Sequence, residues 1–213
     1  MAPSKAPGVD GFTACFYQRH WDVVGEDITL AILSFLNGGE LPLGLNDTAI
    51  TLIPKVHHPQ KISQYRPIAL CPVLYKIAVK TVANRVRLIL DEVIWEEQSA
   101  FVPGQLITDN VLVAYESVHA MKKKRRCKQA SCAVKLDMLK AYDRVEWAFL
   151  EAMMHKLGFA RNWVKLVMKC VSSVRYNIKI NGELSQQFAP SRGLRQGDPN
   201  SPYLFAICAE GMS

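Results

Sequence analysis

The chain has 213 residues, 49% hydrophobic and 21% charged, which is enough apolar material for the core of one domain and too much for a disordered chain. Lys plus Arg outnumber Asp plus Glu by 26 to 19, and the resulting charge of +7 leaves nucleic acid, polyphosphate or an anionic surface as candidate partners. No apolar run of about 18 residues is free of charge, and the segment from Met1 to Gly11 has no apolar stretch like a signal peptide, so the expectation is an intracellular chain with no membrane partner.

From Trp21 to Leu36, apolar side chains recur at helical spacing (Trp21, Val24, Ile28, Ile32, Phe35), and Gly38-Gly39 stops the helix. Thr48 to Pro54 is short, β-branched and flanked by turn residues, which predicts a strand. Pro72 opens a long amphipathic helix with a stripe of Leu74, Ile77, Val82, Val86, Ile89, Leu90 and Val93, and another helix follows from about Thr108 to Lys122. Lys122 to Lys128 holds six basic residues in seven, a solvated loop or else a nuclear-import or nucleic-acid contact patch. Cys132 to Met138 alternates as a strand. Val134 and Leu136 share one face, and burying it turns Lys135 and Asp137 to the open face. Helices are predicted over Glu146 to Leu157 and Arg161 to about Ser172. A strand from Val174 to Ile180 then closes on the hairpin dipeptide Asn181-Gly182. Strand, helix, helix, hairpin is an α+β order rather than a doubly wound parallel sheet. The six cysteines show no zinc-type spacing and read as reduced, mostly buried thiols.

Three groups of residues can carry chemistry. Asp137 at a strand end suits a divalent cation, because Mg²⁺ takes one or two carboxylates and fills its shell with water and substrate phosphates. Asp143, near a helix start, reads better as a cap or dipole partner. In the loop 190–199, Gly193 and Gly197 permit close backbone approach to a ligand, and Arg192 and Arg195 can meet phosphates; a plain surface turn is the competing reading. If the segments 52–55 and 65–67 pair, Lys55 and Arg66 project together as a clamp for a triphosphate.

Six blocks occur in chain order: KAPGVDGF (5–12), LPLGLNDTAITLIPK (41–55), YRPIAL (65–70), QSAFVPGQLITDN (98–110), KLDMLKAYDRVEW (135–147) and RGLRQGDPNSPYLFAICAEG (192–211). Together they resemble the reverse transcriptase domain of plant non-LTR (LINE-type) retrotransposons, an RNA-directed DNA polymerase. The resemblance implies a right-hand polymerase fold, with a fingers-like region over 1–130 that includes an N-terminal extension, a partial palm over 131–213, and a single, truncated reverse transcriptase domain over about 45–213. It implies that Asp137 is the first metal-binding aspartate of a two-Mg²⁺ site and that Lys55 and Arg66 grip the incoming deoxynucleoside triphosphate. It places Tyr142 beneath the sugar, and gives Gln196 and Gly197 to the loop supporting the template and nascent base pair. The implied partners are an RNA template and a DNA primer, and nuclear localisation follows if the basic run is an import signal.

The family's aromatic-Ala-Asp-Asp block is expected after the helix near Ser201, and it does not occur in these residues. The expectation is therefore that this polypeptide does not polymerise, with a non-catalytic, basic nucleic-acid-binding remnant as the alternative. Gln105, Leu139, Val9 and Asn200 depart from the family's usual Arg, Ser, Pro and Leu, and Asn200 puts an amide where the following helix normally buries an apolar side chain. An unfinished palm sheet is further expected to leave the Val134/Leu136 strand and the helix start from Tyr203 to Cys208 uncovered, with poor solubility.

Overall fold

The structure, a computed structural model, describes residues 1–95, 107–123, 132–134 and 138–211. α1 (Ala14–Arg19) starts where the Thr13 hydroxyl accepts from the Phe16 N–H at 3.4 Å, and α2 (Trp21–Leu36) follows with the bounds its periodicity predicts. β1 (Asp47–Pro54) and β2 (Tyr65–Leu70) pair antiparallel from Ala49↔Leu70 to Pro54↔Tyr65. α3 (Val73–Val93) begins after Pro72, whose missing N–H costs nothing at a helix start. α4 (Ile107–Lys123), α5 (Trp147–Lys156) and α6 (Arg161–Ser172) lead to β3 (Arg175–Ile180), β4 (Glu183–Leu184) and α7 (Ser201–Glu210). Asn181 and Gly182 both have positive φ, +52° and +94°, the backbone that a tight two-residue hairpin turn requires.

The described residues are mixed α and β, with one small sheet among them in the order β2-β1-β3-β4. The ladder includes a parallel pair, β1 with β3, in register from Asp47↔Arg175 to Thr51↔Lys179. The main core joins Tyr75, Val79, Val82, Val86 and Leu90 of α3 to Leu150 and Met154 of α5, Val164 and Val167 of α6, and Leu204 and Ile207 of α7. Each aliphatic side chain buried there contributes about 1.5–3 kcal/mol. A second cluster of Ala14, Tyr17 and Val73 takes in Leu74 and Ile77, so α3 is wedged between two apolar layers and its buried face is wider than the expected stripe.

Several expectations need correction. Cys132–Val134 belongs to no strand and Val134 is 76% exposed, because no described strand lies beside it to cover a face; Lys135, Leu136 and Asp137 lie outside the described residues. The start of α7 is not left uncovered, since Leu204, Ala206, Ile207 and Cys208 are buried against α3 and α5. The sheet and the core each draw on residues from both sides of residue 130, since β3 pairs with β1 and α3 packs with α7. Gln105 and the run from Lys124 to Lys128 also lie outside the described residues. Among the described helices none is long and apolar enough to cross a membrane. The described cysteines are free, with Cys71, Cys170 and Cys208 buried and Cys132 exposed.

Candidate functional site

The segments carrying Lys55 and Arg66 pair as expected. Arg66 stands opposite Ile53, and the Lys55 N–H extends the ladder by one bond to the Gln64 carbonyl at 2.8 Å. Side chains alternate along a strand, so Lys55, Ile53 and Arg66 share one face, with both cations exposed at the tip of the β1–β2 hairpin. The Lys55 ammonium donates to the Ser63 carbonyl at 3.2 Å and keeps its other two donors.

The loop 192–198 docks beside this hairpin. β2 is a sheet edge, and the Ala69 N–H on that edge donates to the Gln196 carbonyl at 3.3 Å. On the other side, the Gly193 N–H donates to the Val145 carbonyl and the Leu194 N–H to the Tyr142 carbonyl, both at 2.8 Å, while the Trp147 indole donates to the Gly193 carbonyl at 2.9 Å. Gly193 has φ +92°, and a Cβ there would sit 3.2 Å from the Asp143 carbonyl oxygen. The close approach made possible by this glycine is thus to the protein's own backbone. A cleft of roughly 150 Å³ remains between loop and sheet, lined by Pro67 and Ala69 of β2 and by Asp143, Tyr176, Arg192 and Gln196. By the same strand alternation, Pro67 and Ala69 face away from the side that carries Arg66.

The two loop arginines differ. Arg192 is exposed and pairs with Glu146 at 3.1 Å. Arg195 is not a surface phosphate ligand: it is 6% exposed and forms an ion pair with Asp198 at 2.8 Å. Its guanidinium also donates to Asn46 and Thr48 of the β1 end, at 2.5 and 3.0 Å, and to the Tyr75 hydroxyl, and it lies 4.3 Å over the Tyr75 ring. Asn46 in turn donates to the Cys170 carbonyl at 3.0 Å and to the Ser173 hydroxyl at 2.8 Å. Burial works against the charge on Arg195, but Tyr75 and Asp198 beside it outweigh that, so the group stays protonated. This knot was not foreseen from the sequence. Its one local signal is the Arg195/Asp198 spacing of three residues, while Asn46 and Tyr75 are 149 and 120 residues from Arg195.

Tyr142 opens a 3₁₀ turn (Tyr142–Arg144) and stacks on Phe205 of α7, with ring centroids 4.8 Å apart at 12°; burial raises its hydroxyl pKa. It supports the loop through its carbonyl, and its side chain is not among the groups lining the cleft. Asp143 does not cap α5, whose N-cap is Glu146 without a side-chain bond; it lies exposed at the cleft instead. Asp137 lies outside the described residues. Among the described residues no three His, Cys, Asp or Glu side chains gather into a cation site.

The described residues thus form a mixed α/β body with an exposed cationic hairpin and a loop that closes against its edge. The family model "Reverse transcriptase (RNA-dependent DNA polymerase)" matches residues 53–213, and the chain belongs to that family, as a reverse transcriptase domain of LINE-type, non-LTR retroelements. It is similar to the "Transposon TX1 uncharacterized 149 kDa protein" of Xenopus laevis, 34% identical over 210 residues, covering 99% of this chain and 16% of that protein. It is also 28% identical over 207 residues to the "Retrovirus-related Pol polyprotein from type-2 retrotransposable element R2DM" of Drosophila melanogaster, covering 96% of this chain and 18% of that one. A 34-residue stretch is 62% identical to an uncharacterized mitochondrial protein of Arabidopsis thaliana, covering 16% of this chain and 28% of that protein. The chain therefore spans less than one fifth of the length of the first two relatives.

Proposed function

We propose that this domain binds a deoxynucleoside triphosphate and a primed RNA template for template-directed nucleotidyl transfer in an element of the plant LINE type. The observation that carries this reading is the β1–β2 register, which sets Lys55 and Arg66 on the same exposed face as diagonal neighbours, a placement a polyphosphate can bridge. In the right-hand reading, β1, β2 and α3 belong to the fingers and α5 to α7 to the palm. Gln196 and Gly197 present the edge that meets the template and the new base pair, Tyr142 lies below the sugar, and the basic run from Lys122 to Lys128 adds a nucleic-acid or nuclear-import contact.

Reverse transcriptases use divalent metals such as Mg²⁺, which supply charge compensation at the reacting phosphates. We assign Asp137 to that role from its motif alone. The steps open to the described residues are gripping and orienting: Lys55 and Arg66 neutralise the triphosphate, and the loop 192–198 orders the base-pair side. Nucleotide binding is the direct readout of the clamp. Titration of the purified chain with a fluorescent methylanthraniloyl-dATP is expected to saturate, and Lys55→Ala/Arg66→Ala to weaken it at least tenfold, about 1.5–3 kcal/mol per charge-assisted bond. Equal affinity in the double variant rejects the clamp. Binding of nucleic acid without nucleotide would favour the non-catalytic reading.

A further inference from the structure

Arg195 immediately precedes Gln196 and Gly197, the two residues assigned to nucleic acid. Leu194 and Arg195 are buried at the cleft, and Gln196 beside them is half-buried along its lining. The loop is pinned at four places in succession. Gly193 and Leu194 bond to the turn 142–145, Arg195 reaches β1, α3 and Asp198, and Gln196 closes on the edge of β2. Three of those pins are backbone bonds, which use no side-chain donor or acceptor. The Arg195 pin requires a planar fork, since its donors meet Asn46, Thr48, Tyr75 and Asp198 at the same time. Lysine has three donors at a single point. Methionine fills the space without fixing a direction. An apolar residue serves packing at least as well as a buried charge pair does, so what the guanidinium adds is geometry.

We infer that Arg195 is a positioning residue, whose buried guanidinium holds Gln196 and Gly197 in the orientation that receives a primed template. The inference rests on the reading above, in which those two residues face nucleic acid.

The test uses the whole 213-residue chain and two probes: a fluorescein-labelled DNA primer annealed to an RNA template, and the indole N–H resonance of Trp147, which reports the loop directly through its bond to the Gly193 carbonyl. Arg195→Lys is compared with Arg195→Met/Asp198→Asn. The double variant removes both charges and keeps an acceptor for the Asn200 N–H, which now bonds Asp198 at 2.9 Å, so the fold survives. Val86→Ala, in the core of α3, serves as a destabilised control. Both Arg195 variants are expected to bind the primed template at least tenfold more weakly and to shift the Trp147 resonance, while Val86→Ala lowers the melting temperature and changes neither. Unchanged template affinity in a folded double variant, or an unmoved Trp147 resonance, overturns the positioning role. If the unmutated chain binds no primed template, the functional reading fails, and the Trp147 resonance still decides whether Arg195 anchors the loop.

Discussion

Asn200 shows what one misplaced polar group does. It is 2% exposed, and neither its side-chain oxygen nor its nitrogen has a hydrogen-bond partner, although its backbone caps the turn into α7. The sequence alone had put an amide where an apolar side chain belongs, and the structure agrees. Since an unsatisfied buried polar group costs about 1–3 kcal/mol, Asn200→Leu is expected to stabilise the chain by that amount. A melting midpoint several degrees higher checks it, and an equal or lower midpoint means the amide has a partner. Gly193 is the opposite case, a residue that cannot be larger. At φ +92°, with backbone atoms of Asp143 3.2–3.4 Å from where a Cβ would lie, Gly193→Ala is expected to cost more than about 1 kcal/mol and to loosen the loop. Thermal denaturation shows it as a lower midpoint.

At the scale of elements, α3 gives a matched pair. Leu90 is fully buried in the main core, whereas Leu88, two residues earlier, is 80% exposed. Leu90→Ala should cost about 2–5 kcal/mol and Leu88→Ala less than about 0.5 in urea denaturation, because only the first leaves a cavity. This contrast was legible in advance, as Leu90 lies on the predicted stripe and Leu88 does not. So were α2 and α6, with bounds close to those observed, and the Asn181-Gly182 turn, because helical period and turn chemistry are local. The parallel β1–β3 pairing was not legible, since nothing in residues 47–51 marks 175–179 as their neighbour. The burial of Arg195 was hidden for a similar reason: arginine is usually exposed, and its distant partners come from three stretches of the chain, at Asn46 and Thr48, at Tyr75 and at the Cys170 carbonyl. The Lys55–Arg66 pair was readable because only a short connection separates the two strands. The assignment of Asp137 rests on motif alone.

For the molecule as a whole, the buried thiols set an alkaline limit. Burial pushes Cys170 and Cys208 up from the ordinary 9 to about 12, and Cys71 is raised for the same reason. A folded-state pKa above the unfolded one means that the unfolded chain releases its proton first. The stability tied to these thiols is therefore full below pH 9 and is lost as pH rises toward 12. At pH 10 an unfolded thiol is mostly ionised while Cys170 and Cys208 remain protonated in the fold, so together they remove about 3 kcal/mol relative to neutral pH. Urea midpoints at pH 7, 9 and 10 should fall in that order. Cys170→Ala/Cys208→Ala, though less stable at pH 7 because it leaves cavities, should lose distinctly less between pH 7 and 10. Equal losses in both chains would move the cause to other groups, such as Tyr176 in β3, whose hydroxyl burial raises to about 12.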